Sequence, residues 1–434
     1  MEMIRLSACI TLVVLLLACR SVWAATAKGA LPAGDKTDVT AALQALLDAK
    51  AKDGGGVVAL PAGQFRLDGS LSIPSGVTLQ GEWQGPHFSF TNQGTCLLAY
   101  GGRGQEEGPP LIMLNTNSTL KGVTVFYPKQ TASDIQPYPW TIAGKGTHMN
   151  IIDVTLVNPY RGIEFSHSHA MHYIRNVYGC PLRTGVRIDG CYDIGRIENV
   201  HFNPNSWTRL DAPTAPKGPE KDKLMTYLRE NCVAFEIGRS DWEFLVNTFS
   251  FGCKVGYRFY RSQNGVANGN FLGIAADWAV IPLLVEESAD FGLLITNGEF
   301  VGSDKAQAAV AIAATNQGVV QLSNCSFWGS AERVALVEGR GAVSFNQCNF
   351  SAWDTANHTS PAIDVRGGTI TLQACRFALP QPDIRLGPEV VAATIIGNQM
   401  AGKIAIENAA RGAVAINSNI AVNYDAVKKA EGGK

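Results

Sequence analysis

Three histidines fall close together in "RGIEFSHSHAMHY", residues 161 to 173: His167, His169 and His172, in a chain that has 7 in all. Histidine titrates nearest neutrality and is the commonest nitrogen ligand for metals. The triplet could therefore be a metal site, a proton-transfer pair or a polar turn. Spacing alone leaves all three open, because the backbone beneath decides whether the rings converge or fan out.

A second set of reactive types recurs at longer range. Glu164, Arg187, Glu236 and Arg258 sit in the short alternating segments "GIEF", "GVRI", "VAFEI" and "GYRF", with Asp189 and Tyr260 two positions beyond. "IRNVY" and "IENVH" add Arg175 and Tyr178, then Glu198 and His201. Carboxylates beside guanidinium groups can tune one another's pKa and clamp an anion. A histidine or tyrosine among them could move a proton. The plain alternative is a charge ladder that solvates an exposed sheet, each pair worth a fraction of a kcal/mol.

What must position these residues is a repeat. "NCSF" at 324, "QCNF" at 347 and "ACRF" at 374 echo "DVTL", "NVYG", "NVHF", "NTFS" and "NGEF" upstream and "GNQM" downstream. The intervals from 153 onward are 23, 23, 48, 50, 27, 23, 27 and 23 residues. The two long ones are read as two turns, or as one turn plus an insertion. A period in the twenties filled with short strands is a solenoid signature. Two strands are counted per period, and alternation turns Ile163 and Phe165, Val186 and Ile188, Phe235 and Ile237, Tyr257 and Phe259 inward. Stacked coils then form a parallel β-helix, with Cys325, Cys348 and Cys375 in one interior column of packed thiols.

On this register Arg175 stacks beside Glu198 and Tyr178 beside His201. Arg161 and Arg183 lie at the rim, in the turn between the two strands. Glu236 falls in line only if about 26 residues are inserted after Phe202. The insertion, 203–231, should emerge beside the charged face. Trp207 within it and Trp242 just after the next strand are candidate aromatic platforms.

At the N-terminus, Arg5, the apolar run Ile10 to Ala18 and the small residues before Ala24 read as an export signal, 1–24, too short for a permanent membrane span. A lipid-anchored alternative places acylation at Cys19. Secreted or periplasmic localisation follows, and 28–434 is expected to be one domain. The formal net charge of -1 gives no field to draw nucleic acid or anionic membrane. Eight cysteines remain after the signal, in no spacing typical of zinc or redox sites. Thr37 and Asp38 open an amphipathic helix that stops at Gly54 to Gly56, so 34–56 is expected to cap the solenoid.

"TDVTAALQALLDA" followed by "GGGVVALPAGQFRLDGSLSIPSGVTLQGE" resembles the N-terminal module of the pectate-lyase-like right-handed parallel β-helix superfamily, which includes polygalacturonase-related hydrolases, polysaccharide lyases, some epimerases and phage tailspikes. The resemblance covers residues 34–82 closely and the rest through the rung period. It implies an all-β, right-handed parallel β-helix with an N-terminal α-helical cap, and carbohydrate as ligand. It supplies no catalytic set: the chain has no paired Asp-Asp, no Gly-His-Gly and no aspartate cluster of the calcium-binding kind.

The resulting expectation is a secreted enzyme cleaving glycosidic bonds of an acidic polysaccharide. Hydrolysis would need two carboxylates flanking the bond. Glu164 and Glu236, two rungs apart at roughly 9 to 10 Å, would suit inversion. β-Elimination would need one base beside cations that stabilise an enolate-like charge. Glu164, Arg187, Asp189, Glu198, His201 and Glu236 are the catalytic candidates. Arg161, His167, Arg175, Tyr178, Arg183, Trp207, Trp242, Arg258 and Tyr260 are the substrate-binding ones. The alternative is a glycan-binding adhesin or tailspike-like protein without turnover. No cofactor is required by the sequence, calcium stays open, and no metal is assigned. "SHSHAMHY" becomes the turn between coils, polar or packed, its residues fanning out and His167 nearest the substrate.

Overall fold

The computed structural model describes residues 31–424, apart from 84–87 and 89. The expected export signal and Cys19 lie outside the described residues. The chain winds into a parallel β-helix whose strands all pair in parallel with those of neighbouring coils. No described helix is long and apolar enough to cross a membrane.

Each coil carries three strand segments, one more than the sequence reading counts. In Asn150–Leu156 a single residue, Asp153 at φ 57, turns the chain between two sheets, and Arg161–Phe165 supplies the third. The same left-handed position holds Asn176, Asn199, Asn247, Asn297, Asn324 and Gln347, with φ between 50 and 56. Asparagine and aspartate tolerate this region better than other residues with a Cβ. Here they also bond along the stack: Asn176 Nδ2 donates to Asp153 Oδ1 at 2.8 Å, Asn199 to Asn176 at 2.9 Å, Asn324 to Asn297 at 2.7 Å. The recurring tetrapeptides therefore mark this turn, and their first residue is the kink.

The pairing resolves the two long intervals differently. Ile197 pairs directly with Leu245, so the 48 residues between Asn199 and Asn247 are one coil plus an insertion. The 50 between Asn247 and Asn297 are two coils, with Gly273 at φ 64 in the kink of the hidden one.

Helix α1, Thr40–Lys52, buries Leu43 and Leu47 over the open end of the solenoid. Gln44 extends the cover to a strand edge. Its amide donates to the Ser72 carbonyl at 2.9 Å and accepts from the Ser72 N–H at 2.8 Å, standing in for a neighbouring strand. The predicted inward residues from Ile163 to Phe259 are all fully buried; Phe235 and Tyr257 stack face to face across adjacent coils, with Phe202 tilted against Phe235. Cys325, Cys348 and Cys375 are buried free thiols beside the kinks.

One buried group is uncomfortable in its charged form. Asp383 is fully buried and its Oδ1 has no partner among the described residues, while Oδ2 accepts the Ala405 N–H at 3.1 Å. Burial pushes its carboxyl up to about 7. A raised acid stabilises the fold most below its unfolded pKa and loses that contribution as pH climbs to the folded value. Asp383→Asn should therefore raise Tm relative to the parent at pH 8, with the gap closing as pH falls from about 7 to about 4; thermal melts across that range check it, and a constant gap would contradict it.

Candidate functional site

On the third sheet Glu164, Arg187, Glu236 and Arg258 pair in register on successive coils, and an alternating ion ladder results. Arg187 Nε donates to Glu236 Oε2 at 2.9 Å, and Arg258 Nη1 donates to Glu236 Oε1 at 2.5 Å. Glu286, absent from the sequence candidates, accepts both Nε and Nη2 of Arg258 at 2.8 and 3.0 Å. Its signal was weak: the position opposite Arg258 is Leu284, and Glu286 reaches back from two residues further on.

Glu236 is buried and shared by two guanidinium groups. Glu164 differs. Its nearest cation is Arg187 Nη1 at 3.7 Å, and its partner on the other side is Ala143. The Arg187 guanidinium lies 5.1 Å from the Trp140 ring centre, and Arg161 covers the same ring at 4.9 Å. Burial opposes the charge on Arg187 and Arg258, yet the adjacent glutamates hold both pKa values above the ordinary arginine range. Tyr260 stacks against Arg258 at 4.8 Å; burial, then Glu236 and Asp189, push its hydroxyl up to about 12.

The other predicted residues are not gathered at this face. Arg175 pairs in register with Glu198 on the first sheet, and Glu198 accepts the Tyr173 hydroxyl at 2.7 Å. Tyr178 and His201 pair on the second sheet with rings stacked at 5.5 Å, and Phe249 and Phe88 close around the imidazole. Burial lowers the His201 pKa, and its Nε2 has no partner among the described residues. Among the described residues no hydrogen bond, ion pair or ring contact joins either group to the ladder. The expected single cluster is thus three separate surfaces, because the kink at Asn176 and Asn199 turns the chain between them.

Several expected contacts are internal. Asp189 is buried, accepting the Arg239 N–H, the Ser262 hydroxyl and the Asn264 amide at 2.9, 2.7 and 3.0 Å; it pins the 262–265 turn. Arg161 opens a strand, buried, and ties to Glu107 and the Glu106 carbonyl. Arg183 is exposed and donates to the Asn231 carbonyl, the end of the insertion's long helix α3, Pro219–Asn231, which follows the short α2, Asn205–Thr208. Trp207 is fully buried in α2 and packs the insertion, so it is no platform.

Trp242, the other aromatic candidate, stands at the surface. It is 58% exposed and held at φ 69, a conformation unusual for a bulky residue. It lines an open cleft of about 660 Å³ with Asp193, Asp241, Asn268, Asn270 and Phe291, the last 84% exposed.

The histidine turn is resolved unequally. His167 is exposed, whereas His169 and His172 are fully buried and joined. His169 Nε2 lies 3.1 Å from His172 Nδ1, and His172 Nε2 lies 3.1 Å from Glu243 Oε1. Burial and the neighbouring His172 lower His169 to about 4; against burial, the Glu243 carboxylate raises His172 to about 10. The expectation that turn residues fan out fails because Gly195 lets His172 fold inward: a Cβ there would lie 2.1 Å from the ring.

Residues 23–203 match the model of a family described as Rhamnogalacturonase A/epimerase, pectate lyase-like. No curated protein matches the chain in sequence. Among solved structures, the A-module of the Azotobacter vinelandii mannuronan C-5 epimerase AlgE4 is 13% identical, over 90% of this chain and 98% of that one, with a TM-score of 0.50. A double mutant of the tailspike protein of E. coli bacteriophage HK620 is 14% identical over 91% and 76%, at 0.51. The Streptococcus pneumoniae surface adhesin PfbA is 13% identical over 91% and 90%, at 0.50. At such identities the likeness is one of fold.

The ladder makes a clear stability prediction. Glu236→Ala leaves two half-buried guanidinium groups without their shared anion and should cost about 2 kcal/mol or more. Glu164→Gln should stay within about 0.5 kcal/mol. Denaturant unfolding compares the two, and equal losses would refute the distinction.

Proposed function

We propose that this chain, a member of the pectate-lyase-like parallel β-helix superfamily, is an exported carbohydrate-active enzyme that cleaves a uronate-containing polysaccharide by β-elimination at Glu164 and Arg187. The observation that carries the reading is the open end of the ladder. Among the described residues, Glu164 is the carboxylate there with no donor within hydrogen-bond distance, and it stands beside a guanidinium that has only Nε in a hydrogen bond. Elimination needs one free base and a cation, which this pair supplies. Hydrolysis needs two available carboxylates, and Glu236 is engaged by arginines on both sides.

In this reading Arg187 holds the uronate carboxylate and stabilises charge as it builds there. Glu164 removes the proton on the adjacent carbon, the bond to the leaving sugar oxygen breaks as the carbon–carbon double bond forms, and water protonates that oxygen. The pair stands on rigid paired strands, so its geometry is set before substrate arrives.

A panel of acidic and neutral polysaccharides tests this. New reducing ends with the ultraviolet absorbance of an unsaturated uronate support it; reducing ends without absorbance mean hydrolysis and overturn it. Glu164→Gln should lower kcat by at least about 100-fold with little change in Tm, and Arg187→Ala should lower kcat as far but also lower Tm, because buried Glu236 then keeps Arg258 alone.

A second reading, glycan binding without turnover, is favoured by the Trp242 and Phe291 cleft, whose exposed rings beside carboxylates and amides suit sugar faces and hydroxyls. If that cleft binds, Trp242→Ala should weaken polysaccharide affinity by about tenfold or more in a titration, while Glu164→Gln leaves it unchanged.

A further inference from the structure

We propose that His169, His172 and Cys191 form a buried site for one divalent zinc-class cation. Their ligating atoms lie within 4.8 Å of one another, and all three side chains are fully buried. Among the described residues, no other place brings three or more His, Cys, Asp or Glu donors together in this way.

The outer faces of the rings are already oriented. His169 Nδ1 meets the His167 carbonyl at 2.7 Å. A carbonyl only accepts, so Nδ1 carries the hydrogen and Nε2 presents its lone pair. His172 Nε2 faces Glu243 Oε1, while Oε2 accepts the Ser240 hydroxyl at 2.6 Å. With Glu243 ionised, His172 Nε2 carries its hydrogen too, and Nδ1 points at His169 Nε2 from 3.1 Å. Two lone pairs at that distance repel unless a cation lies between or beside them. That cation is a proton or a metal ion. A ligating histidine whose second nitrogen donates to a carboxylate or carbonyl is the usual outer arrangement of a metal site, and both rings have it.

Charge separates the candidate metals. Glu243 is fully buried and carries one negative charge, and a bound Cys191 thiolate carries another. A divalent ion cancels both, whereas a monovalent one leaves a net buried anion, which is costly. Two imidazoles and one thiolate match zinc in ligand type, and the fourth position of the tetrahedron falls to water. Loading exchanges two protons, the Cys191 thiol proton and the one shared by the rings, for one ion.

The scaffold is prepared for it. His169 bridges to Cys191, and Cys191 bridges to Ser240, one coil after another. Gly195 is obligatory, since a Cβ there would lie 2.1 Å from the His172 ring and 2.4 Å from Glu243 Oε2. The ion would tie the His169–His172 turn to the Cys191 turn directly and to the next turn through Glu243, and the last two of these turns supply Asp193 and Asp241 to the Trp242 cleft.

The test uses the full chain, produced with zinc and dialysed against chelator, or refolded with and without zinc. About one zinc per chain should be retained, and uptake should release about two protons, read by calorimetry in buffers of different ionisation enthalpy. Cobalt-loaded protein should show a thiolate charge-transfer band that Cys191→Ser abolishes and Cys348→Ala keeps. Glu243→Gln should weaken retention by about 10- to 100-fold, which serves if a ligand variant fails to fold. Zinc retained equally by Cys191→Ser, or no zinc after either route, would overturn the site and leave the shared proton in its place.

Discussion

Everything in this molecule rests on one backbone event, the single left-handed residue that turns each coil from the first sheet to the second. A side chain with a Cβ costs of order 1–3 kcal/mol in such a conformation when nothing compensates. Asparagine recovers part of that through its amide, which donates to the equivalent residue of the preceding coil. Glycine at 273 and 397 avoids the cost altogether. Because the kink recurs at one place per coil, strands of successive coils hold register over most of their length, and like positions stack at about 4.8 Å.

That stacking dictates the behaviour of the charges. A carboxylate between two guanidinium groups in register must be shared, as Glu236 is, so alternation removes interior members from chemistry. Only the ends differ. The arginine end is closed by Glu286 reaching back from a later position, and the glutamate end abuts Ala143 and stays open. Which carboxylate is left unshared on this sheet is therefore a matter of where the series stops, not of which residue types it contains.

The parts legible in the sequence were those the period controls. Arg187 beside Glu236 across an insertion, Tyr178 beside His201, and the inward residues all follow from counting along a repeat, and the pairing agrees. The count went astray at the kink, since one residue with φ near 50 looks like any strand residue in the sequence, yet it sends Arg175 and Tyr178 to different sheets. Turns obey no period. Asp189 reads as an outward strand residue but is drawn in by Ser262 and Asn264 from a turn more than seventy residues on. Trp207 likewise reads as an exposed loop aromatic, though it sits fully buried in a short helix of the insertion.

The buried histidine network and the exposed Trp242 explain each other. A bulky residue at φ 69 relaxes unless its neighbours forbid it. Here Asp241 is held by its N–H bond to the Cys191 carbonyl, and Glu243 is held by His172 and Ser240 in the interior. With both flanking residues fixed, the chain between them can only place the indole outward over the cleft. Weakening the buried network should let Trp242 leave the left-handed region and move the indole at the cleft. The interior of the turn column thus sets the shape of the exterior, from the second of the three histidines to the aromatic edge.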